Sequence, residues 1–404
     1  MKPDTGAGAA PGMRPWRFVV WFGTVSLLAD VVYEGARSVT GPLLASLGAS
    51  SLVVGVVTGA GEAAALGLRL VSGPLADRTH RFWGLAIAGY ALTVVSVPLL
   101  GVAGVLWAAC VLVIAERVGK AVRSPAKDTL LSHATAATGR GRGFAVHEAM
   151  DQIGALVGPL LVAGVLALTG DDYAPALGVL AVPGAAALGL LVRLRSRVPD
   201  PEAYERGAAP KAPRAAAGGR LPTAFWTYAA FTAATTTGFA TFGVLSYHLV
   251  QRHLLATAWV PVLYAGAMAV DAVAALVTGW LYDRYGPRVL VALPVLTAAV
   301  PCLAFTHTLA PAAAGSLVWG AAMGIQESTL RAVVADLVPS GRRATAYGVF
   351  AGAVGAASLA GGALTGGLYG YSVPVLITVV VVIQVLALAL LGVTTTRRTR
   401  PRTG

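Results

Sequence analysis

Charge is what this 404-residue sequence has least of: Asp, Glu, Lys and Arg together make up 12% of it, against 56% apolar residues and a mean hydropathy of +0.72. A soluble domain carries about 25% charged residues, so an ordinary soluble protein is excluded. Cysteine is nearly absent too. The two copies, Cys110 and Cys302, both fall within apolar stretches, which rules out a disulfide framework and a paired-cysteine metal site and leaves them as inert core residues. The six histidines are scattered, and the sequence contains no GxSxG elbow, no HExxH pair and no phosphate-binding glycine loop ending in Lys-Ser or Lys-Thr. Hydrolase, metalloprotease and ATP-driven chemistry are therefore excluded; an enzyme is not expected, nor any metal or cofactor. A cleavable leader is not expected either, since residues 1 to 13 are polar and rich in Gly, Ala and Pro, and the first apolar run is followed at once by others. That first run is expected to stay in the protein.

What the sequence does have is a succession of apolar stretches. A helix needs about twenty apolar residues to cross the hydrocarbon layer. Twelve such stretches are predicted, near 16–40, 50–76, 82–103, 105–132, 141–168, 174–195, 222–250, 257–282, 287–308, 312–336, 344–369 and 372–393. The 49 glycines suit helices that approach one another closely in lipid.

The 30 Lys and Arg against 18 Asp and Glu give a net charge of +12, and their positions report topology. Twenty-two of them cluster at the termini and the even-numbered connections, seven fall within spans, and Arg252 stands alone on the other side. Loops rich in Lys and Arg stay in the cytoplasm. Both termini and the 196–221 connection are thus expected there, in a multi-pass protein of the cell inner membrane that has no nucleic-acid partner.

Residues 196–221 form the one long polar segment, rich in Pro, Ala and charge, and read as a flexible tether. It separates an N-terminal half, 16–195, from a C-terminal half, 222–393, with a tail at 1–15 and a basic tail at 394–404. The halves repeat each other. GPLADRTHR at 73–81 returns as GWLYDRYGPR at 279–288, and RGRGFAVH at 140–147 as RATAYGVF at 343–350. Parallel repeats about an axis along the membrane normal place a substrate site near the midplane between them.

Gly73, Asp77, Arg78 and Arg81, then Gly279, Asp283, Arg284, Gly286 and Arg288, resemble the cytoplasmic loop signature of the major facilitator superfamily, with His80 standing where the first copy should have Gly. The resemblance spans essentially the whole chain. It implies an all-α membrane protein of twelve helices in two pseudo-symmetric halves, working as a monomeric secondary transporter by alternating access. Its partners would be a small solute, protons and the lipid bilayer. In the two loops, Asp and Arg would pair across each half as a latch on the cytoplasmic side. Gly154, Gly158 and Pro159 in the fifth span are similar to the Gly-x-x-x-Gly-Pro core found in proton-coupled antiporters of that superfamily. RSPAKDTLL at 123–131 and DVVYEGARS at 30–38 look like a bacterial branch and fix no ligand.

Ionisable residues inside a membrane are costly and are functional candidates by default. Asp30, Tyr33, Glu34 and Arg37 share one face of the first span, and Glu62 and Arg69 one face of the second. Glu116, Lys120, Arg123 and Lys127 form a stripe on the fourth, and His147 and Asp151 lie one turn apart on the fifth. The C-terminal half offers Asp271, Gln326, Glu327 and Arg331, and on its seventh span a Thr-rich aromatic surface of Phe231, Thr235, Thr236, Phe239, Phe242, Tyr247 and His248. Protonation and gating are therefore expected in the first half and solute contact in the second. Against this stands neutralisation along one helix, as Glu116 with Lys120, Glu34 with Arg37 and Glu327 with Arg331. Within the spans Arg37, Arg69, Arg117, Lys120, Arg123, Lys127 and Arg331 stand against the clear carboxylates Asp30, Glu34, Glu62, Glu116, Glu148, Asp151, Asp271 and Glu327, a balance near zero, so an anion carrier is not the first choice. The best reading is proton-coupled efflux of a small organic compound, with Asp30 and Glu34 as coupling carboxylates and Asp151 next. A symporter for a sugar, organic acid or metal chelate remains open, as does a non-transporting sensor or lipid-handling protein.

Overall fold

Lipid offers the backbone no hydrogen-bond partner, so each crossing must satisfy its own peptide groups as a helix. The computed structural model describes residues 13–204, 221–339 and 342–398, except for the side chains at 136, 137, 140, 331, 344 and 394–398. Among the described residues there are fifteen α-helices and no strand. These are α1 (Pro15–Ser46), α2 (Ser51–Gly67), α3 (Arg69–Thr79), α4 (Phe82–Gly101), α5 (Leu106–Thr138), α6 (Arg140–Thr169), α7 (Tyr173–Gly178) and α8 (Ala181–Arg197) in the first half. The second half has α9 (Thr223–Thr237), α10 (Phe242–Gln251), α11 (Val260–Tyr285), α12 (Ala292–Ala304), α13 (Leu309–Leu337), α14 (Arg343–Tyr371) and α15 (Val373–Arg398).

Grouped end to end, they make the twelve expected crossings. Three of these are broken where continuous helices were expected: α2 and α3 part at Leu68, α7 and α8 at Val179–Leu180, and α9 and α10 at Gly238–Thr241. The last break is repaired from a neighbour, as Trp319 Nε1 donates to the freed Ala240 carbonyl at 2.8 Å. Among the described residues, eight segments are long and apolar enough to span a membrane, one of which, Thr257–Ala304, contains both α11 and α12. The crossings outside them are α5, α9 with α10, and α13, and each supplies side chains to the central cavity.

Between the halves, α2 runs along α14 and α6 along α11. The second crossing of each half thus meets the fifth of the other, as a two-fold axis along the membrane normal requires. At the end of the bundle away from the termini this contact is tight. A Cβ added at Gly59 would stand 2.6 Å from the Ser358 carbonyl oxygen, and Ser51 Oγ donates to the Gly366 carbonyl at 2.8 Å. Only glycine allows that approach.

Two expectations need correcting. The 196–221 segment does not start as a free tether: Pro201–Tyr204 forms a 3-10 turn that docks on the N-terminal half. Tyr204 is buried beside Phe18, ring centroids 5.8 Å apart, and its hydroxyl donates to the Met13 carbonyl at 2.8 Å. Residues 205–220 lie outside the described residues, as do 1–12 and 399–404 of the two tails. Cys302 is exposed and Cys110 only half-buried, so neither is a core residue.

Candidate functional site

A cavity of about 540 Å³ lies between the halves. Its N-terminal wall carries Arg37, Glu62, Arg69 and Arg117, and the facing wall carries Thr236, Phe239, Phe242, Trp319, Gln326 and Glu327. The N-terminal wall is one connected ion cluster. Glu62 Oε1 is shared by Arg37 and Arg117, each 3.1 Å away. Arg117 also reaches Glu116 at 3.2 Å and donates to the Tyr33 hydroxyl, while Arg37 lies 3.7 Å from Glu34. The Lys120 ammonium sits 3.8 Å from the centre of the Tyr33 ring, a cation–π contact that substitutes for lost hydration. Buried charges are tolerated only when partnered in this way.

The expected Glu116–Lys120 pair does not form. Arg117, one residue on, offers a planar guanidinium that reaches Glu116, Glu62 and Tyr33 together, which a lysine's point charge cannot do.

A second network lies behind the cavity, inside the N-terminal half. Arg123 faces Asp30 at 3.9 Å, donates to Thr93 Oγ1 at 2.8 Å and lies over the Tyr90 ring at 4.8 Å. Lys127 and His147 both approach Asp151 Oδ2, at 3.3 and 3.4 Å, and His147 Nε2 pairs with Ser26 Oγ at 2.8 Å. Asp30, Tyr33, Glu34, Glu116, Lys120, Arg123, His147, Asp151 and Asp271 therefore do not line the cavity as the helical faces suggested; Asp30, Arg123, His147 and Asp151 tie α1, α4, α5 and α6 together, while Tyr33, Glu34, Glu116 and Lys120 stand behind the first cluster.

Contact across the halves comes from residues that sequence reasoning passed over. Tyr264 on α11 donates to Glu34 on α1, and the Arg37 guanidinium stands 6.0 Å from the centre of the Trp319 ring. Arg117, Ser26 and Tyr90 were also missed as site residues, and Lys127, expected in the fourth-span stripe, pairs with Asp151. Arg117 was visible as an intramembrane cation, but Tyr90, Tyr264, Trp319 and Ser26 gave no signal distinct from core packing.

In the C-terminal half, Asp271 is buried, and its Oδ1 has no hydrogen-bond partner among the described residues. Glu327, Glu34 and Glu148 are its acidic neighbours. The Arg331 side chain lies outside the described residues. The aromatic surface of the seventh crossing is split. Thr236, Phe239 and Phe242 reach the cavity, whereas Thr235 bonds Gln384 at 2.7 Å and His248 bonds Tyr369 and the Thr306 carbonyl at 2.9 and 2.8 Å inside the half.

The two loop motifs are open in this conformation. Asp77, Arg78, Arg81, Asp283, Arg284 and Arg288 are exposed, and a Cβ at Gly73 or Gly279 would meet nothing within 4 Å. Gly154 and Gly158 do make close contact: α6 lies against α1 there, with Leu27, Asp30 and Val31 as neighbours, and Pro159 follows within the same helix.

Two pseudo-symmetric helical halves around a polar cavity, tightly packed at one end and with exposed loop motifs at the other, define the body of a secondary transporter. The family model of the Major Facilitator Superfamily matches residues 23–270 and 253–404, and the chain belongs to that superfamily. It is 64% identical over 385 residues to an uncharacterized protein of Mycobacterium tuberculosis, covering 94% of this chain and 93% of that one, and equally to one of Mycobacterium bovis. An uncharacterized transporter of the same type from Methanocaldococcus jannaschii is 29% identical over 143 residues, or 35% of this chain and 36% of that one. The fold matches a peptide transporter bound to sulfate (TM-score 0.73, 14% identity, 97% of this chain and 95% of the other). It also matches a point mutant of the nucleoside transporter NupG (0.72, 13%, 94% and 99%) and an occupied, inward-facing bacterial homologue of the human lysosomal transporter Spinster (0.72, 15%, 98% and 100%).

Proposed function

We propose that the protein exports a small organic compound in exchange for protons, from a cell inner membrane with both termini in the cytoplasm. The observation that carries this reading is Glu34. It is a buried carboxylate that accepts a hydrogen bond from Tyr264 of the other half while lying beside Arg37 of its own. Protonation of Glu34 would change both contacts, so proton binding and the closure of the two halves would depend on one group. Asp30, one turn earlier and 3.9 Å from Arg123, is the second coupling candidate. Export over import is supported by the antiporter-like Gly154, Gly158 and Pro159, which press α6 against α1 beside Asp30. With the basic termini in the cytoplasm, the cavity of this conformation opens inward.

Purified protein in liposomes under an imposed pH gradient tests the reading. Asp30→Asn or Glu34→Gln should lose gradient-driven flux but keep solute exchange between equal pools, because exchange moves no net proton. If both variants retain full gradient-driven transport, the first-span assignment is wrong and Asp151 is the next to neutralise. If the wild type carries no flux at all, a sensor or lipid-handling role is favoured instead. A cysteine placed near 210 should resist a membrane-impermeant thiol reagent in intact cells, and ready labelling would invert the topology.

A further inference from the structure

The cavity is two-faced, and its two faces specify a ligand class. We infer that the transported compound is an amphipathic organic acid, a carboxylate joined to a flat apolar body. The inference rests on the transport reading above and goes on to name the kind of solute.

The charged groups that line the N-terminal wall are three cations, Arg37, Arg69 and Arg117, against one carboxylate, Glu62. Glu62 is divided between two guanidiniums. A ligand carboxylate entering here would meet planar fork donors suited to bidentate contact. Arg69 is half-buried on the same wall, with Nη2 3.3 Å from Ser124 Oγ, and adds a third guanidinium to the cavity lining. The charge balance over all the spans argued against an anion, but that sum included groups of both signs that do not line the cavity; those that do are Arg37, Arg69 and Arg117 against Glu62 and, on the opposite wall, Glu327.

The opposite wall cannot solvate a charge of that sign. Phe239 lies parallel to Trp319, the planes 2° apart and the centroids 5.8 Å apart, with Phe242 at 5.3 Å from the same indole. The indole N–H is already committed to the Ala240 carbonyl, so Trp319 offers the cavity no donor and its ring is held in place. A flat apolar group can stack on Phe239. At the edge of this surface stand the polar side chains of Gln326 and Thr236, whose Oε1 and Oγ1 are buried and have no hydrogen-bond partner among the described residues. Glu327, on the same wall near Asp271 and Glu148, repels the carboxylate end and so sets which way round the ligand lies. A cavity of about 540 Å³ is in the range that holds a drug-sized molecule, about 300–1,000 Å³.

The test measures binding to purified wild-type protein in detergent at neutral pH, with no gradient, by thermal stabilisation and equilibrium dialysis. Four probes are used: 3-phenylpropionate, its neutral amide, acetate and phenethylamine. The phenylpropionate should bind, with the amide, acetate and the amine each at least tenfold weaker. Arg69→Gln should weaken phenylpropionate binding at least tenfold with Arg69→Lys intermediate, and Phe239→Ala should weaken it while leaving acetate unchanged. Amide binding equal to acid binding, preference for the amine, or no stabilisation by phenylpropionate would overturn the inference. So would unchanged affinity in an Arg69→Gln variant that melts like wild type; if that variant does not fold, the four-probe series on wild type decides alone. Proton coupling is read separately. Acid binding without pH-driven flux would remove the exporter reading and keep the ligand class, and pH-driven flux of other solutes without acid binding would do the reverse.

Discussion

The N-terminal half turns Arg37, Glu62, Arg69 and Arg117 toward the cavity, and the C-terminal half answers with Thr236, Phe239, Phe242 and Trp319, although the two are repeats of one topology. What they share is what makes helices pack: the Gly-spaced loop motifs, the pairing of second with fifth crossings, and the glycine-lined seam where α2 meets α14. What differs is the polar and charged side chains, both those facing the cavity and, in the N-terminal half, the network of Asp30, Arg123, Lys127, His147 and Asp151 behind it. The repeat specifies a scaffold, and the chemistry was laid onto each copy separately. A charged wall opposite an aromatic one also means the halves should respond differently to the same kind of substitution.

The largest difference should appear on neutralising one acid in each half. Glu62→Gln leaves Arg37 and Arg117 without their shared carboxylate, and breaking a buried pair costs about 3–5 kcal/mol. Asp271→Asn removes a charge whose Oδ1 has no hydrogen-bond partner among the described residues, so stability should hold or rise. Thermal unfolding in one detergent compares the two directly. Equal losses would mean that the C-terminal half also depends on a charge network.

Next comes the contact that joins the halves. Tyr264→Phe deletes the hydrogen bond to Glu34, and a bond to a charged group is worth about 1.5–3 kcal/mol. The end of the bundle that carries it should then open more often. In a protein lacking Cys110 and Cys302, a cysteine at Thr58, which bonds Thr241 of the other half at 2.8 Å, should react at least tenfold faster. Unchanged labelling would show that the α2–α14 seam closes this end unaided.

The two copies of the loop motif differ in their turns. His80 is left-handed, with φ 52° and ψ 18°, a conformation open to a non-glycine residue at a cost of about 1–2 kcal/mol. Gly286, at φ 65° and ψ −153°, lies in a region essentially reserved for glycine. This is why the first copy can depart from the pattern and the second cannot. Gly286→Ala should cost about 1–3 kcal/mol by thermal unfolding. His80→Gly should change stability by under about 1 kcal/mol, because relief of the turn is offset by a more flexible unfolded chain and loss of the exposed contact to Glu202. A Gly286→Ala variant as stable as wild type would break the distinction.

Most of the fold was legible in the sequence, since apolar length marks crossings and Lys and Arg mark loops regardless of tertiary context. The interruptions at Leu68, Val179 and Gly238 were not, because a break is tolerated only where a neighbour such as Trp319 repairs it, and the neighbour is known only once the fold is. The charged candidates were legible as a set, because burying a charge has one explanation and burying a tyrosine has many. Their pairing was not: helical spacing put Glu116 with Lys120, while packing of α5 against α1 and α2 gave it to Arg117. Tyr264 and Trp319 were invisible for a related reason, as each acts on a residue of the other half.

The smallest expected effect lies in the latches, where the comparison between halves becomes one between states of the same molecule. Asp77 and Asp283 are exposed here, and the glycines at the start of each motif stand clear of any neighbour, as they should when that end of the bundle has parted. Neutralising either acid costs nothing in this state. In the state where the end closes, Asp77→Asn or Asp283→Asn forfeits a pair near the surface, worth under about 1 kcal/mol. The population should therefore move toward the open-ended form by a few fold at most. Flux in liposomes should slow by about that factor, while ligand affinity of the open-ended form, measured without a gradient, stays within a few fold of wild type. A folded variant that loses binding altogether would place these acids in the ligand site, since a latch acts on the balance between states and leaves the pocket as it was.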